Sequence, residues 1–199
     1  MLLDADDCQL VLIDYQARLM PAIHDAPAVL ANARRLAQMA RLMQVPVWAT
    51  EQYPEKLGGT DESLAALCDR IVPKMAFSGA EELQPLLAPP VAAPRGNVRS
   101  LPKHLRAPAA AEPARGTVVI AGCEAHVCLL QTALMLLEAE WDVCVVTDAC
   151  GSRTERNRDA AYDRLAGAGC ELVTTEMVGF EWLRDCEHPR FKALQALVR

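Results

Sequence analysis

The sequence predicts an α/β protein in three layers, with a mainly parallel six-stranded sheet and helices on both of its faces. Short apolar runs alternate along the chain with longer stretches whose apolar residues recur at helical spacing. Such alternation is typical of parallel sheets, because two parallel strands need a crossover connection that is usually a helix. Because crossovers are right-handed, helices are expected on both faces of the sheet.

Six short apolar runs are the predicted strands. The clearest is TVVIAG at 117–122, which is apolar throughout, as expected of a strand that is covered on both faces. QLVLID at 9–14 has the same character but ends on a charged residue. The full set of predicted strands is 9–14, 45–50, 69–74, 117–122, 141–149 and 170–175.

Three longer stretches, 28–43, 126–140 and 153–168, are predicted to be helices. The first has an apolar stripe opposite a face of arginine and glutamine, which is the pattern of an amphipathic helix. Ser152 and Glu155 form a capping box that is expected to start the last of the three. Two short helices are predicted to complete the chain.

The chain length and composition suit a single domain over residues 1–199. Of the 199 residues, 52% are hydrophobic, which is enough for a packed core. One stretch interrupts the pattern, because residues 85–113 contain seven prolines and proline disfavours regular structure. We therefore expect a Pro/Ala-rich loop insertion at about 88–115. It is either a tolerated surface loop or a lid or contact between subunits.

The composition also argues against several kinds of partner. The net charge of −6 offers no electrostatic footprint for nucleic acid or for an anionic membrane. The N-terminal segment lacks the features of a secretory signal, and no apolar run reaches the roughly 18 residues of a membrane span. The chain is not small and several of its eight cysteines fall inside apolar runs, which favours buried reduced thiols in a cytoplasmic protein. The absence of a C-x-x-C pair argues against a zinc ribbon or a thioredoxin.

The carboxyl ends of the predicted strands are the place to look for a ligand site. In open parallel sheets the binding crevice lies beyond these strand ends. The polar residues found there are Asp14, Glu51, Lys74 and Asp148, together with the segment that follows Gly122.

Cys128 lies in the first turn of the predicted helix after the central strand. A cysteine reacts as the thiolate, and the N–H groups and partial positive charge of a helix N-terminus favour that form. The same N–H groups are able to bind an oxyanion during acyl transfer. A buried structural cysteine in an apolar helix is the alternative that position alone leaves open.

Asp14 and Lys74 favour a reactive Cys128 over a structural one. Each ends a predicted strand, so both are expected at the same sheet edge as Cys128. A carboxylate is able to take the thiol proton, and a lysine is able to hold the resulting negative charge. Three complementary groups at three strand ends favour an active site, with Cys128 as the most reactive of the eight thiols.

Several separated motifs resemble the isochorismatase-like cysteine hydrolases. The first are LIDYQ around Asp14, PKMAFS around Lys74 and AGCEAHVCLLQTALMLLE at 121–138. TEQYPEKLGG at 50–59, VTDACGSR at 146–153 and HPRFKALQALV at 188–198 extend the resemblance. The order is kept over nearly the whole chain outside the insertion. The sequence is most similar to the branch called isochorismatase domain-containing proteins.

The resemblance implies a Rossmann-like sheet and an Asp–Lys–Cys catalytic triad of Asp14, Lys74 and Cys128. In that mechanism Asp14 deprotonates Cys128, Lys74 stabilises the thiolate, and a thioester-type intermediate is hydrolysed by a water that Asp14 activates. The resemblance also implies a cis peptide bond between Cys123 and Glu124. That bond would aim the Glu124 N–H, with that of Cys128, at one oxyanion.

The sequence departs from some members of this family. Nicotinamidase-type members hold a metal after the second strand, whereas Glu51, Gln52 and Tyr53 stand there in this chain, without a histidine. We therefore expect no metal and no cofactor. True isochorismatases cleave a vinyl ether without a cysteine, so the presence of Cys128 favours a small-molecule amide or related C–N or acyl substrate. The four histidines are scattered, at His24, His104, His126 and His188.

Four residues near the matched motifs are candidates for the substrate pocket: Gln16, Leu19, Tyr53 and Phe77. Each of them fits plain packing equally well. His126 is close to the proposed nucleophile in sequence, but its position fits a supporting residue or a helix start better than a catalytic one.

Three hypotheses for the function follow from the sequence. The first is an amidohydrolase-like enzyme, and the second is a catalytically vestigial member that acts in binding or assembly. The third is a thiol redox protein, which the lack of a C-x-x-C pair disfavours. Selective alkylation of Cys128 at neutral pH and turnover of small amides separate the first from the second. The resemblance also implies a homodimer or a larger homo-oligomer.

Overall fold

The computed structural model describes residues 2–87 and 115–198. Within these residues six strands form one sheet in which every neighbouring pair is parallel. The predicted α/β fold with a six-stranded parallel sheet is therefore confirmed. The strands are Cys8–Ile13 (β1), Val47–Gln52 (β2), Arg70–Lys74 (β3), Thr117–Gly122 (β4), Asp142–Val146 (β5) and Glu171–Val173 (β6).

The strand order changes direction at the centre of the sheet. The order is β3-β2-β1-β4-β5-β6, so β1 and β4 are neighbours in the middle and the chain builds outward from them in both directions. β1 and β4 stay in register to their last residues, Ile13 beside Gly122. In sheets of this order the loops after the two central strands turn away to opposite sides, so a ligand site is expected beyond their carboxyl ends.

Eight α-helices cover the two faces of the sheet in the described part of the chain. Because right-handed crossovers lead from β1 to β2 one way and from β4 to β5 the other way, their helices lie on opposite faces. The contacts agree, since α1 packs with α7 and α8 whereas α5 packs with α4 and α6. The helices are Ala26–Met43 (α1), Pro54–Leu57 (α2), Glu62–Ala65 (α3), Ala80–Leu87 (α4), Leu130–Glu138 (α5), Glu155–Ala168 (α6), Thr175–Leu183 (α7) and Phe191–Val198 (α8).

Three of these helices were not predicted, and one of them corrects the predicted loop. α2 and α3 have only four residues each, too few to show a helical period. α4 continues through Pro85 to Leu87, so the expectation of a loop from residue 85 is wrong for its first three residues. Proline removes only its own N–H donor, and Pro85 lies in the exposed last turn. The remainder of the predicted insertion, 88–114, lies outside the described residues, and only its end at residue 115 is described.

The start of α6 also differs from the prediction. The helix begins at Glu155, and Thr154 caps it by accepting a hydrogen bond from the Asn157 N–H at 3.3 Å. Ser152, the predicted cap, instead places its hydroxyl 3.0 Å from His126 Nδ1. Two hydroxyl residues in one short segment both satisfy the capping pattern, and the sequence offers no means of choosing between them.

All eight cysteines are unpaired, and six of them are buried. Only Cys186 is exposed, while Cys68 is partly buried. No helix in the described residues is long and apolar enough to cross a membrane.

The amide of Gln9 joins three parts of the chain at the amino-terminal edge of the sheet. Its Nε2 donates to Leu87 O and Arg115 O at 3.2 and 3.3 Å, and its Oε1 accepts from Trp48 Nε1 at 3.1 Å. Leu87 and Arg115 are the described residues on either side of 88–114. One buried side chain therefore holds the two ends of this segment together, on the edge opposite to the strand ends where a ligand site is expected.

Gln9→Ala should destabilise the protein by about 2 kcal/mol, because it leaves buried hydrogen-bonding groups unsatisfied. Urea unfolding measures the change. Gln131→Ala, an exposed glutamine in α5, is the matched control and should change the free energy of unfolding by less than about 0.5 kcal/mol. Equal effects of the two substitutions would show that the Gln9 contacts do not stabilise the fold.

Candidate active site

Asp14 follows β1 directly and is completely buried. Its backbone has a φ of 53°, a left-handed conformation that turns the chain away from the sheet. Thr50 at the end of β2 holds it at two points. The Asp14 N–H donates to Thr50 O at 3.2 Å, and Thr50 Oγ1 donates to Asp14 Oδ1 at 2.7 Å. The carboxylate is thus directed across the end of the sheet.

Lys74 is the last residue of β3, and its side chain is also inaccessible to solvent. Its Nζ lies 2.8 Å from Asp14 Oδ2. It also donates to Gln52 Oε1 at 2.7 Å and to the main-chain oxygens of Phe77 and Ala76 at 3.0 and 3.3 Å. The ammonium group is therefore surrounded by oxygen atoms, which compensate for its removal from water.

Asp14 and Lys74 form a fully buried ion pair that spans three strands. Taking two charges out of water costs several kcal/mol per ion, and only good geometry with further hydrogen bonds offsets that cost. Asp14 Oδ2 is in ionic contact with Lys74 but accepts no well-aligned hydrogen bond. This oxygen therefore retains a lone pair inside the site.

Lys74→Met should destabilise the protein by about 3–5 kcal/mol, because it leaves the Asp14 charge buried without a partner. Adding Asp14→Asn to Lys74→Met should recover part of the loss, since the double variant carries neither charge. Denaturant unfolding of the two single variants and the double variant measures this coupling. Strictly additive losses would contradict a direct interaction between the two side chains.

Cys128 lies in the turn that connects β4 to α5. The predicted helix over 126–140 is confirmed in outline, but its first turn, Ala125–Leu129, is a π-helix that continues into α5 at Leu130. The Cys128 thiol is close enough to Asp14 and Lys74 for both charges to act on its pKa. The residue is only 6% exposed. The structure thus brings together the three residues that the sequence singled out.

The pKa of Cys128 is raised to about 12, although its position at a helix start was expected to favour the thiolate. Burial is the main cause, the negative charge of Asp14 adds to it, and Lys74 opposes it. A thiol with this pKa is protonated at neutral pH. Any reactivity at pH 7 therefore requires a nearby base to take the proton as the sulfur attacks.

Gly122 allows β4 to approach β1 closely beneath the site. Its φ is 157°, and a Cβ at this position would lie 2.4 Å from Ile13 O. Any other residue would push the two central strands apart next to Asp14. The peptide bond that follows, between Cys123 and Glu124, is cis.

Hydrogen bonds connect the turn that carries Cys128 to the segment after β5. The Ala125 N–H donates to Gly151 O at 2.7 Å, and Arg153 Nε donates to Glu124 Oε1 at 2.8 Å. His126 contacts Ser152 in the same segment, in keeping with a supporting rather than a catalytic position. The backbone N–H of Glu124 donates none of the hydrogen bonds found among the described residues, which leaves it open to a ligand.

The four predicted substrate residues fall into two groups. Gln16 is completely buried and uses its amide to bind Gln52 and Gly58, so it supports the loops around the site. Leu19 is partly buried and packs against the core. The Tyr53 and Phe77 residues are 36% and 56% exposed. These two therefore remain the candidates for contact with a ligand.

Tyr53 and Phe77 are both tied to Lys74 through the backbone. The Tyr53 N–H donates to Lys74 O at 2.9 Å, and Phe77 O accepts from Lys74 Nζ. The backbones of these two exposed residues therefore lie next to the residue that anchors the ion pair. Between them in sequence, Met75 is also exposed.

Among residues 2–87 and 115–198, no group of three or more His, Cys, Asp or Glu side chains is arranged to hold a metal ion. Glu51, which stands where related sites place a metal ligand, uses Oε1 to bind the Thr60 N–H and hydroxyl at 2.7 and 2.8 Å. Its carboxylate supports a loop in this structure.

Sequence reasoning missed three polar residues that contact the site: Thr50, Gln52 and Thr132. Thr50 and Gln52 are two residues apart at the end of β2, and alternate strand residues face the same side, but Gln52 lies beyond the predicted strand 45–50. Thr132 is a lone hydroxyl in the apolar run that forms α5. No pattern in the sequence distinguishes it from an ordinary helical threonine.

The comparisons with known proteins agree with the fold. A family model described as the isochorismatase domain matches residues 8–88 and 101–177. The chain therefore belongs to the isochorismatase family, a family of hydrolase-type domains. It is 35% identical over 190 residues to isochorismatase domain-containing protein 2A of Mus musculus, over 96% of this chain and 82% of that protein.

Solved structures show the same architecture. A MAR1 ribonuclease of Caenorhabditis elegans is 29% identical with a TM-score of 0.83, over 100% of this chain and 92% of that one. The YcaC protein of Escherichia coli, described as an octameric hydrolase of unknown specificity, is 25% identical with a TM-score of 0.79, over 98% and 88%. YcaC of Pseudomonas aeruginosa, solved with covalent acrylamide, is 25% identical with a TM-score of 0.78, over 98% and 90%.

Proposed function

We propose that the protein is a cysteine hydrolase that cleaves a small-molecule amide or a related C–N or acyl substrate with Asp14, Lys74 and Cys128. One observation carries the proposal. A buried Asp–Lys ion pair lies at the carboxyl ends of the strands, with a thiol close enough for both charges to act on its pKa. Such a pair is costly to maintain, and a core built for stability alone does not need it.

In the first step the Cys128 sulfur attacks the substrate carbonyl carbon while its proton passes to Asp14. Asp14 Oδ2 is the acceptor, because Thr50 already occupies Oδ1. Lys74 stabilises the negative charge that develops on sulfur. The C–N bond then breaks, the proton on Asp14 moves to the leaving nitrogen, and a thioester remains on Cys128.

In the second step water hydrolyses the thioester. Asp14, again ionised, takes a proton from the water while the water oxygen attacks the thioester carbon. The C–S bond breaks, the proton returns to sulfur, and the acid product leaves. In both steps the backbone N–H groups of Glu124 and Cys128 are the proposed donors to the oxyanion.

The reactivity of a relative supports the choice of nucleophilic chemistry. YcaC of Pseudomonas aeruginosa carries covalent acrylamide. Acrylamide contains an amide and an alkene to which a thiol can add, so it suits a test of Cys128. The sulfur bonds to the terminal alkene carbon, the double bond opens, and a proton is added to the carbon next to the carbonyl.

Two measurements test the proposal. Acrylamide at pH 7 should label Cys128 in a Cys186→Ser background, which removes the exposed competing thiol. A panel of small amides and nitriles should contain at least one substrate whose hydrolysis is lost in Cys128→Ala. Labelling of other cysteines in place of Cys128, together with no turnover of the panel, would support the vestigial alternative.

The vestigial alternative rests on a specific observation. Cys128 combines 6% exposure with a raised pKa, as an inert structural thiol does. In that case the chain acts in binding or assembly. An RNA oligonucleotide belongs in the substrate panel because a relative is described as a ribonuclease. The net charge of −6 leads us to expect no RNA cleavage.

We also propose that the chain works as a homo-oligomer in the cytoplasm. A relative described as octameric, whose alignment covers 98% of this chain at 25% identity, supports the oligomer. Eight unpaired cysteines support a reducing compartment. Sedimentation of the purified protein tests the oligomer, and a monomer at micromolar concentration would contradict it.

A further inference from the structure

The carboxyl end of β2 lies between the two charged residues of the site and contacts both. β2 is hydrogen-bonded to β1 on one side and to β3 on the other. Thr50 and Gln52 are two residues apart, so their side chains face the same side of the sheet. Thr50 Oγ1 donates to Asp14 Oδ1 at 2.7 Å, and Gln52 Oε1 accepts from Lys74 Nζ at 2.7 Å.

Thr50 determines which carboxylate oxygen of Asp14 accepts no aligned hydrogen bond. Its hydroxyl occupies Oδ1, and its carbonyl holds the Asp14 N–H, so the aspartate is fixed at both its backbone and its side chain. The other oxygen, Oδ2, then faces Lys74 and accepts no aligned hydrogen bond. Thr50 itself is completely buried and does not reach solvent.

Thr132 connects the third member of the site to the same layer. Its hydroxyl donates to Cys128 O at 2.7 Å and accepts from the Gly79 N–H at 2.9 Å. A Cβ on Gly79 would lie 3.0 Å from the Thr50 methyl and 3.3 Å from Lys74 Cδ, so this glycine packs against both side chains. The backbone of the Cys128 turn is therefore linked to the segment that follows Lys74.

We propose that Thr50, Gln52 and Thr132 are positioning residues, each of which holds one member of the Asp14–Lys74–Cys128 group in place for proton transfer. The inference rests on the proposed function. Thr50 fixes the Asp14 carboxylate through Oδ1, Gln52 anchors the Lys74 ammonium, and Thr132 fixes the turn that carries Cys128. Proton transfer between side chains is sensitive to their separation, so a loss of any one contact reduces the rate without touching the substrate.

The sharpest test replaces Thr50 with valine, which keeps the shape of the side chain and removes the hydroxyl. The readout is the rate of acrylamide addition to Cys128 in the Cys186→Ser background, measured from pH 6 to pH 9. Thr50→Val should lower the rate about tenfold or more, since a hydrogen bond to a charged group is lost. Thr50→Ser, which restores the hydroxyl, should recover most of the rate.

Thr147→Val is the matched control. Thr147 follows the end of β5 and its hydroxyl donates to Val173 O at 3.0 Å, so the substitution also removes one threonine hydrogen bond near a strand end. It should leave the addition rate within about twofold of the parent, because it makes no contact with the site. Thermal unfolding of each variant separates loss of fold from loss of rate.

The outcomes distinguish the inference from the function on which it rests. A folded Thr50→Val variant with the parent's addition rate would overturn the positioning role, even if Cys128→Ala abolishes hydrolysis. A slow Thr50→Val and an equally slow Thr50→Ser would also overturn it, because the hydroxyl would not be the cause. If Cys128→Ala retains hydrolysis, the proposed function fails first. If a substrate is found, Thr50→Val should lower kcat and leave KM unchanged.

Discussion

Cys128→Ala should abolish hydrolysis of any amide that the protein turns over, with a fall in kcat of about 10⁴-fold or more. The reason is that the proposed reaction passes through a bond to the Cys128 sulfur. Neither Asp14 nor Lys74 offers a replacement nucleophile, because Asp14 is held by Thr50 and Lys74 by four oxygens. Steady-state kinetics on the best substrate of the amide panel measures the effect.

Cys144→Ala is the matched control for this substitution. Cys144 is 4% exposed, close to the 6% of Cys128, so both variants lose one buried sulfur. Their melting temperatures should be similar, whereas only the Cys128 variant should lose activity. A Cys128→Ala enzyme within about tenfold of wild type would rule out nucleophilic catalysis by this thiol.

The expectation that Cys128 is the most reactive thiol needs a reagent that suits the site. Cys186 is exposed and Cys128 is buried, so a generic alkylating reagent meets Cys186 first. A small amide-bearing reagent is expected to reverse this order, because Asp14 is placed to take the Cys128 proton. Mapping the adducts of acrylamide and of a bulky maleimide on all eight cysteines tests the difference.

The sheet could be predicted because its strands are short, apolar and separated by clear helical patterns. TVVIAG was placed without error at Thr117–Gly122, and the carboxyl-edge rule then selected Asp14, Lys74 and the segment after Gly122. The same rule did not separate Glu51 from Thr50, although the structure shows that Thr50 contacts the site and Glu51 supports a loop. Strand ends show where a site lies, but the direction of each side chain depends on register.

The state of Cys128 could not be predicted from its position in the sequence. Proximity to a helix start and a lysine suggests a lowered pKa, whereas burial and the Asp14 charge raise it to about 12. Burial is a property of the whole fold and is not visible in a single segment. The π-helical first turn, Ala125–Leu129, was hidden for a similar reason, because its sequence also fits an ordinary α-helix.

Asp14→Asn should leave the fold intact and reduce hydrolysis by about 10²–10⁴-fold, the usual contribution of a general base. Asparagine keeps the shape of the side chain, and its Oδ1 is still able to accept from Thr50 Oγ1. Lys74 keeps its contacts with Gln52, Ala76 and Phe77. The substitution therefore removes the base more than the scaffold.

The pH dependence of Cys128 labelling distinguishes a base from a structural carboxylate. In the wild type Asp14 takes the proton directly from the Cys128 thiol. The rate of acrylamide addition to Cys128 should therefore change little between pH 6 and pH 9. In Asp14→Asn the thiol must lose its proton to solvent, so the rate at pH 7 should fall and then rise with pH. The negative charge of Asp14 raises the pKa of Cys128, so removing it should bring that pKa below about 12.

The two profiles should therefore approach each other or cross as the pH rises, since the variant becomes thiolate at a lower pH than the wild type. Asp142→Asn, an exposed aspartate at the start of β5, is the control and should keep the flat wild-type profile. If Asp14→Asn labels faster than wild type already at pH 7, the carboxylate only opposes thiolate formation. Asp14 would then have no role as the base, and the buried ion pair with Lys74 would be a feature of stability alone.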